Sequence, residues 1–171
     1  MKKEMGLVGW TKIYEAVRKG EKFLPGNVLF DHHNVITLFG LTRSAQLLGG
    51  LNTHFINAMA IGDGGAPQAM PGAPYVPLDT DTGLAHEILR TTSLNPTIVG
   101  TSQLQFTGLF LTSSPITWLG TLHAVNEVGL FFSDDVQPGT PRMFARNTFP
   151  SIPFDPVDRE GLIVTWSVYI V

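Results

Sequence analysis

The last ten residues constrain this chain most. Residues 162–171 read Leu-Ile-Val-Thr-Trp-Ser-Val-Tyr-Ile-Val. On a strand, Leu162, Val164, Trp166, Val168 and Ile170 share one face, and Ile163, Thr165, Ser167 and Tyr169 share the other. Left on an exposed edge, a strand this apolar would template aggregation, so it must be paired and covered. Burying its inward face contributes on the order of 1.5–3 kcal/mol per large side chain. The segment therefore belongs in the middle of a sheet, and the preceding chain must supply strands for both its sides.

Candidates for those strands crowd the second half. Gln103-Leu104-Gln105-Phe106-Thr107 alternates cleanly, and Leu109 to Leu111 extends it past Gly108. Apolar runs follow at 116–122, at 125–132 and at 142–149, where Pro150 and Pro153 break the last one. Turn chemistry separates them: Ser113-Ser114-Pro115, Ser133-Asp134-Asp135 and Pro138-Gly139. Many short strands with such punctuation argue for an antiparallel sandwich and against a parallel α/β sheet.

The first half holds one helix. Thr37 caps a segment over residues 38–48 that ends at Gly49-Gly50. Leu38, Leu41, Ala45 and Leu48 form an apolar stripe, expected to pack over the sheet, with Arg43, Ser44 and Gln46 outward. Before it, residues 27–37 alternate as a strand with Val28, Phe30, His32, Asn34 and Ile36 on one face. His32 and His33 then point to opposite faces and cannot chelate one ion together. Residues 1–27 read as an N-terminal arm, leaving 28–171 as the sandwich domain. Within the arm, Trp10, Ile13, Tyr14 and Val17 fit helical spacing. As a strand, Trp10, Lys12, Tyr14 and Ala16 share a face, and the run is too short to decide.

Residues 56–90 carry the densest local pattern. Ile56 to Ile61 reads as a half-buried strand stopped by Gly62-Asp63-Gly64-Gly65, where glycines accept positive φ. A long loop to Pro77 follows, held extended by Pro67, Pro71, Pro74 and Pro77. A turn over residues 79–83 then leads to His86, Glu87 and Arg90. The glycines lack both the GxGxxG spacing and the Gly-Lys-Ser/Thr of a phosphate loop. Asp63, Asp79 and Asp81 lack calcium-loop spacing and suit Asx turns. Glu87 and Arg90 fit a structural ion pair better than acid–base work.

Composition narrows the function. Only 15% of residues are charged while 43% are hydrophobic, and so little surface charge implies that neighbouring subunits cover much of the surface. The net charge of −3, with no basic cluster beyond Lys2-Lys3, argues against nucleic acid. Cysteine is absent, which excludes disulfides and thiol catalysis. No apolar run nears the roughly 18 residues of a membrane helix, and the start lacks a secretory h-region. No enzyme activity, cofactor or metal is expected. Trp118 and Trp166 are candidates for stacking on a glycan, with Trp166 better assigned to the core.

Several phrases together resemble the amino-terminal region of tail-fibre proteins of contractile-tailed bacteriophages. They are Ala58-Met59-Ala60-Ile61-Gly62-Asp63-Gly64, Leu84-Ala85-His86-Glu87-Ile88-Leu89-Arg90 and Glu127-Val128-Gly129-Leu130-Phe131. His33-Asn34-Val35-Ile36-Thr37 is similar to the opening of small phage structural proteins. The resemblance implies a virion component, made in the host cytoplasm, that docks on other phage structural proteins of the tail or baseplate. It also implies a homo-oligomer, expected as a trimer. A fibre would continue past Val171 into a shaft, and the segment 1–27 is additional. Both features fit an adaptor, or alternatively a capsid-decorating cement protein. Interface residues expected from the arm and the long loop are Trp10, Tyr14, Gly62, Asp63, Pro71, Pro74 and Tyr75.

Overall fold

The computed structural model describes residues 6–51, 54–67, 69–70, 72–92, 94–119, 121, 123–132 and 143–171. The elements are β1 (Leu7–Lys19), β2 (Lys22–Ile36), α1 (Leu38–Leu48), β3 (Ile56–Gly62), β4 (Glu87–Thr91), β5 (Thr97–Val99), β6 (Gln103–Leu111), β7 (Ala124–Phe132), β8 (Met143–Pro153) and β9 (Gly161–Ile170). The strands form one open antiparallel sheet in the order β4-β3-β7-β8-β2-β1-β9-β6-β5. As its apolar inward face requires, β9 is an inner strand: Trp166 pairs with Thr11 on one side and Phe106 on the other, and its side chain is fully buried.

The protein is mainly β, but its hydrogen bonding gives one sheet rather than the two of a sandwich. The reason lies in β2, which pairs with β1 along nearly its whole length and reaches β8 only through Val35 and Ile36. One long strand thus joins both halves. The halves share their main core cluster, with Ile13, Phe106 and Trp166 beside Met59, Leu130 and Phe144, and a smaller cluster forms around Ala58, Ala60, Phe131 and Met143. A Cβ on Gly108 of β6 would lie 3.0 Å from the Met59 sulfur and 3.2 Å from Thr91, on strands near the opposite end of the order. Side chains of β3 and β4 therefore approach β6 across this core.

The expected arm is corrected over its described residues, 6–27. β1 is an inner strand between β2 and β9, with Ile13 fully buried. One of its two partners, β9, lies some 150 residues away in sequence, beyond the reach of local periodicity. That pairing decides strand over helix for residues 10–17, with Trp10, Lys12 and Tyr14 outward. A bulge after Tyr14 turns Ala16 inward. β2 also crosses the expected boundary at residue 27, and only the hairpin tip, with Val17, Leu24 and Val28 exposed, stands clear of the core.

The helix bounds are as the sequence predicts. The Thr37 hydroxyl accepts from Gly40 N–H (2.9 Å) and donates to Met143 O (2.6 Å). At the other end, Gly50 adopts φ +68°. The expected stripe, however, faces the wrong way: Leu38, Leu41, Ala45 and Leu48 are exposed, and Phe39, Gly40 and Leu47 face the protein. A Cβ on Gly40 would strike the Phe144 carbonyl. The helix rests on β8 through its smallest residue, and that contact sets its rotation. Residues 116–119 are irregular rather than a strand, and β8 runs through Pro150 to Pro153.

Candidate functional site

Gly64, Ala85, His86 and Arg146 converge on one buried carboxylate. Glu127, on β7, is fully buried. Its Oε1 accepts from His86 N–H (2.8 Å) and Gly64 N–H (3.2 Å), and its Oε2 accepts from Ala85 N–H (3.0 Å) and the Arg146 guanidinium (2.6 Å). Arg146 also pairs with Asp81 at 2.8 Å. Burial alone would lower the Arg146 pKa. Glu127 and Asp81 more than offset that, holding the guanidinium above its ordinary value. Charge-assisted bonds of this kind are roughly twice as strong as neutral ones, so Glu127 fixes the glycine corner and the approach to β4 against β8, and Arg146 adds the acidic turn through Asp81.

The corner needs glycine for space. Positive φ falls at Gly20, Gly50 and Gly100, not at residues 62–65 as expected. A Cβ on Gly64 would sit 2.6 Å from His86 N, and one on Gly62 2.6 Å from Glu127 Oε1. Gly65 N–H donates to Asn126 Oδ1 at 2.6 Å. Asp63, 1% exposed, bonds His86 Nδ1 through Oδ1 and accepts from Leu119 N–H (2.7 Å) through Oδ2. A buried carboxylate on Nδ1 is how a catalytic imidazole is oriented; here it joins the corner to β4 and to residues 116–119. Glu87 and Arg90 form the expected ion pair at 2.6 Å, and Arg90 also lies over the Phe131 ring.

The expected interface residues therefore separate. Gly62 and Asp63 are buried and cannot form a contact surface; they hold the loop from beneath. Pro71 lies outside the described residues. Pro74 is half-buried and Tyr75 is 52% exposed. The Tyr75 backbone is tied to Gly65 O and to the Thr148 hydroxyl. Trp10 and Tyr14 share the outer face of β1 with Lys12, beside a surface groove.

A row of exposed leucines lies where the sequence placed a buried stripe. Leu38, Leu41 and Leu48 are 52%, 42% and 79% exposed, and Leu51 just past the helix is 82% exposed. Leu38 N–H donates to Asp79 O (2.7 Å), which brings the exposed Leu78 beside the first turn. The sequence signal for this orientation is Gly40, a residue suited to close backbone approach. Trp118 stacks on His123 and meets Phe154 edge-on. Compared with known protein families, curated proteins and solved structures, the chain matches none.

Proposed function

We propose that this protein is a structural component of a bacteriophage virion, a tail or baseplate piece or fibre adaptor that docks through protein–protein contacts. The observation that carries this reading is the solvent-facing leucine row of α1. Exposed apolar surface of this kind marks an interaction site, and the close seat of Gly40 on β8 holds the helix that carries it. Asp63 and Glu87 are committed to structural partners, so the reading assigns them no catalysis. We also read the doubled-over sheet, with its shared core, as a sandwich in the packing sense.

Light scattering at about 10 μM tests the assembly. A trimer is expected, and Leu41→Glu with Leu48→Glu should give a folded monomer. A soluble monomer of the parent chain would refute self-assembly through this face. Fractionated particles test the location: the protein should remain with tails at up to a few dozen copies. Hundreds of copies on the head would favour a cement protein instead.

A further inference from the structure

The outer face of β1, β9 and β6 is unusual for a solvent-facing sheet surface. It carries a groove of about 450 Å³, within the size range of small-ligand sites. Three aromatic side chains, Trp10, Tyr14 and Tyr169, line it, and all three are half-buried. Across the strands, Trp10 pairs with Ser167 and Ser167 with Gln105, while Tyr169 pairs with Gln103. Neighbouring strands lie about 4.8 Å apart, so Trp10 and the Gln105 amide stand roughly 10 Å apart across three strands, while Tyr169 sits directly beside Gln103.

The polar groups are already organised. Gln103 donates to the Ser167 hydroxyl at 2.9 Å. Lys12 and Asp31 pair at 2.8 Å, and Asp31 also accepts from Trp10 Nε1–H. The Trp10 ring meets the His33 ring edge-on, with centroids 4.1 Å apart, so the indole is held from two sides. Such positioning lowers the ordering cost of binding.

The chemistry of the lining narrows the ligand. Its two charges cancel, so it offers no net attraction to phosphate or nucleic acid. β1 and β9 are hydrogen-bonded on both sides, so a peptide strand finds no free backbone edge to extend. What remains is apolar ring faces beside amide, hydroxyl and carboxylate groups. That combination suits a molecule with flat C–H faces rimmed by hydroxyls. We propose that the groove binds a neutral saccharide, a short glycan chain lying across β1, β9 and β6. The proposal stands on this face alone and does not depend on the virion reading.

The test uses the full chain and a panel of neutral gluco-, galacto- and manno-configured oligosaccharides of two to four units. Ligand-observed NMR should detect at least one binder with Kd below about 10 mM, and that sugar should quench tryptophan fluorescence. Trp10→Ala and Gln105→Ala should each weaken binding at least tenfold while the far-UV spectrum stays that of the parent. If Trp10→Ala fails to fold, Gln105→Ala carries the test alone. Leu48→Glu, on the distant helix, should leave binding unchanged. No binding across the panel, binding indifferent to Gln105→Ala, or burial of this face in the protein's own oligomer would each overturn the proposal.

Discussion

Glu127→Ala tests the network most directly. The substitution removes a fully buried carboxylate and strands the Arg146 guanidinium, which keeps only Asp81. Breaking a buried pair from one side costs about 3–5 kcal/mol. The N–H groups of Ala85 and His86 lose their carboxylate acceptor as well, at about 1–3 kcal/mol each where water does not replace it. Water entering the space left by the side chain offsets part of that, so the working expectation is a loss of about 4 kcal/mol. In a domain of this size that lowers Tm by about 8–16 °C. Glu127→Gln keeps the volume and the Oε1 acceptor but turns an amide toward the Ala85 N–H and Arg146. Its expected cost is about 2 kcal/mol. Urea unfolding followed by tryptophan fluorescence measures both. Amide exchange at Gly64, Ala85 and His86 should accelerate more than exchange in β9. An alanine variant within about 1 kcal/mol of the parent would refute the network as the support of the glycine corner, because ordinary surface changes already reach about half that.

Three further outcomes follow. Gly64→Ala places a Cβ against the His86 backbone and should cost about 1–3 kcal/mol; Gly72→Ala, where a Cβ meets nothing within 4 Å, should be near neutral by the same thermal melt. Thr37→Ala removes the helix cap and the bond to Met143 O and should cost about 1–2 kcal/mol in urea, with Thr37→Ser restoring most of it. The Lys12–Asp31 pair holds across neutral pH. The hydrogen bond from Lys12, then that from Trp10, lowers the Asp31 pKa, and the bond to Asp31 raises that of Lys12. The Asp31 contribution is therefore present above its unfolded pKa and lost as pH falls through the lowered folded value. The Lys12 contribution is present below its unfolded pKa and lost as pH rises through the raised one. In a chain that keeps Trp10 as its one tryptophan, Asp31→Asn should remove the acid-side transition in fluorescence, and an unchanged acid limb would refute the pairing.

What the sequence revealed tracks how local each cause is. The helix ends were legible because a threonine cap and a paired-glycine stop act within a turn of themselves. Its orientation was not, because periodicity finds a stripe without saying what the stripe meets. The close approach of Gly40 to β8 outweighed the leucines. β9 was legible as central because its own residues forbid an edge. β1 was not, because its run also fits helical spacing and one of its two partners, β9, is remote in sequence. Pro150 was expected to end its strand. β8 tolerates it because its pairing with β2 ends near Arg146, so the proline sits where one side of the strand needs no N–H. β5 is three exposed residues, too short for any periodicity to register.

The candidate site shows the same division. The glycine corner, Ala85-His86 and Arg146 lie far apart in sequence, yet Glu127 collects donors from all of them. These positions are tied together by one buried acceptor and by the glycines that let the backbone close around it. Residues of this kind build the domain, whereas Leu41, Leu48, Trp10 and Gln105 lie on its outer surfaces and take no part in that network. Substitutions in the network would abolish any function by unfolding its support, whatever that function is. Substitutions on the exposed helix row and the outer sheet face change a contact without removing the core beneath it. Those surfaces, not the more recognisable motif residues, are where assembly and ligand binding can be told apart.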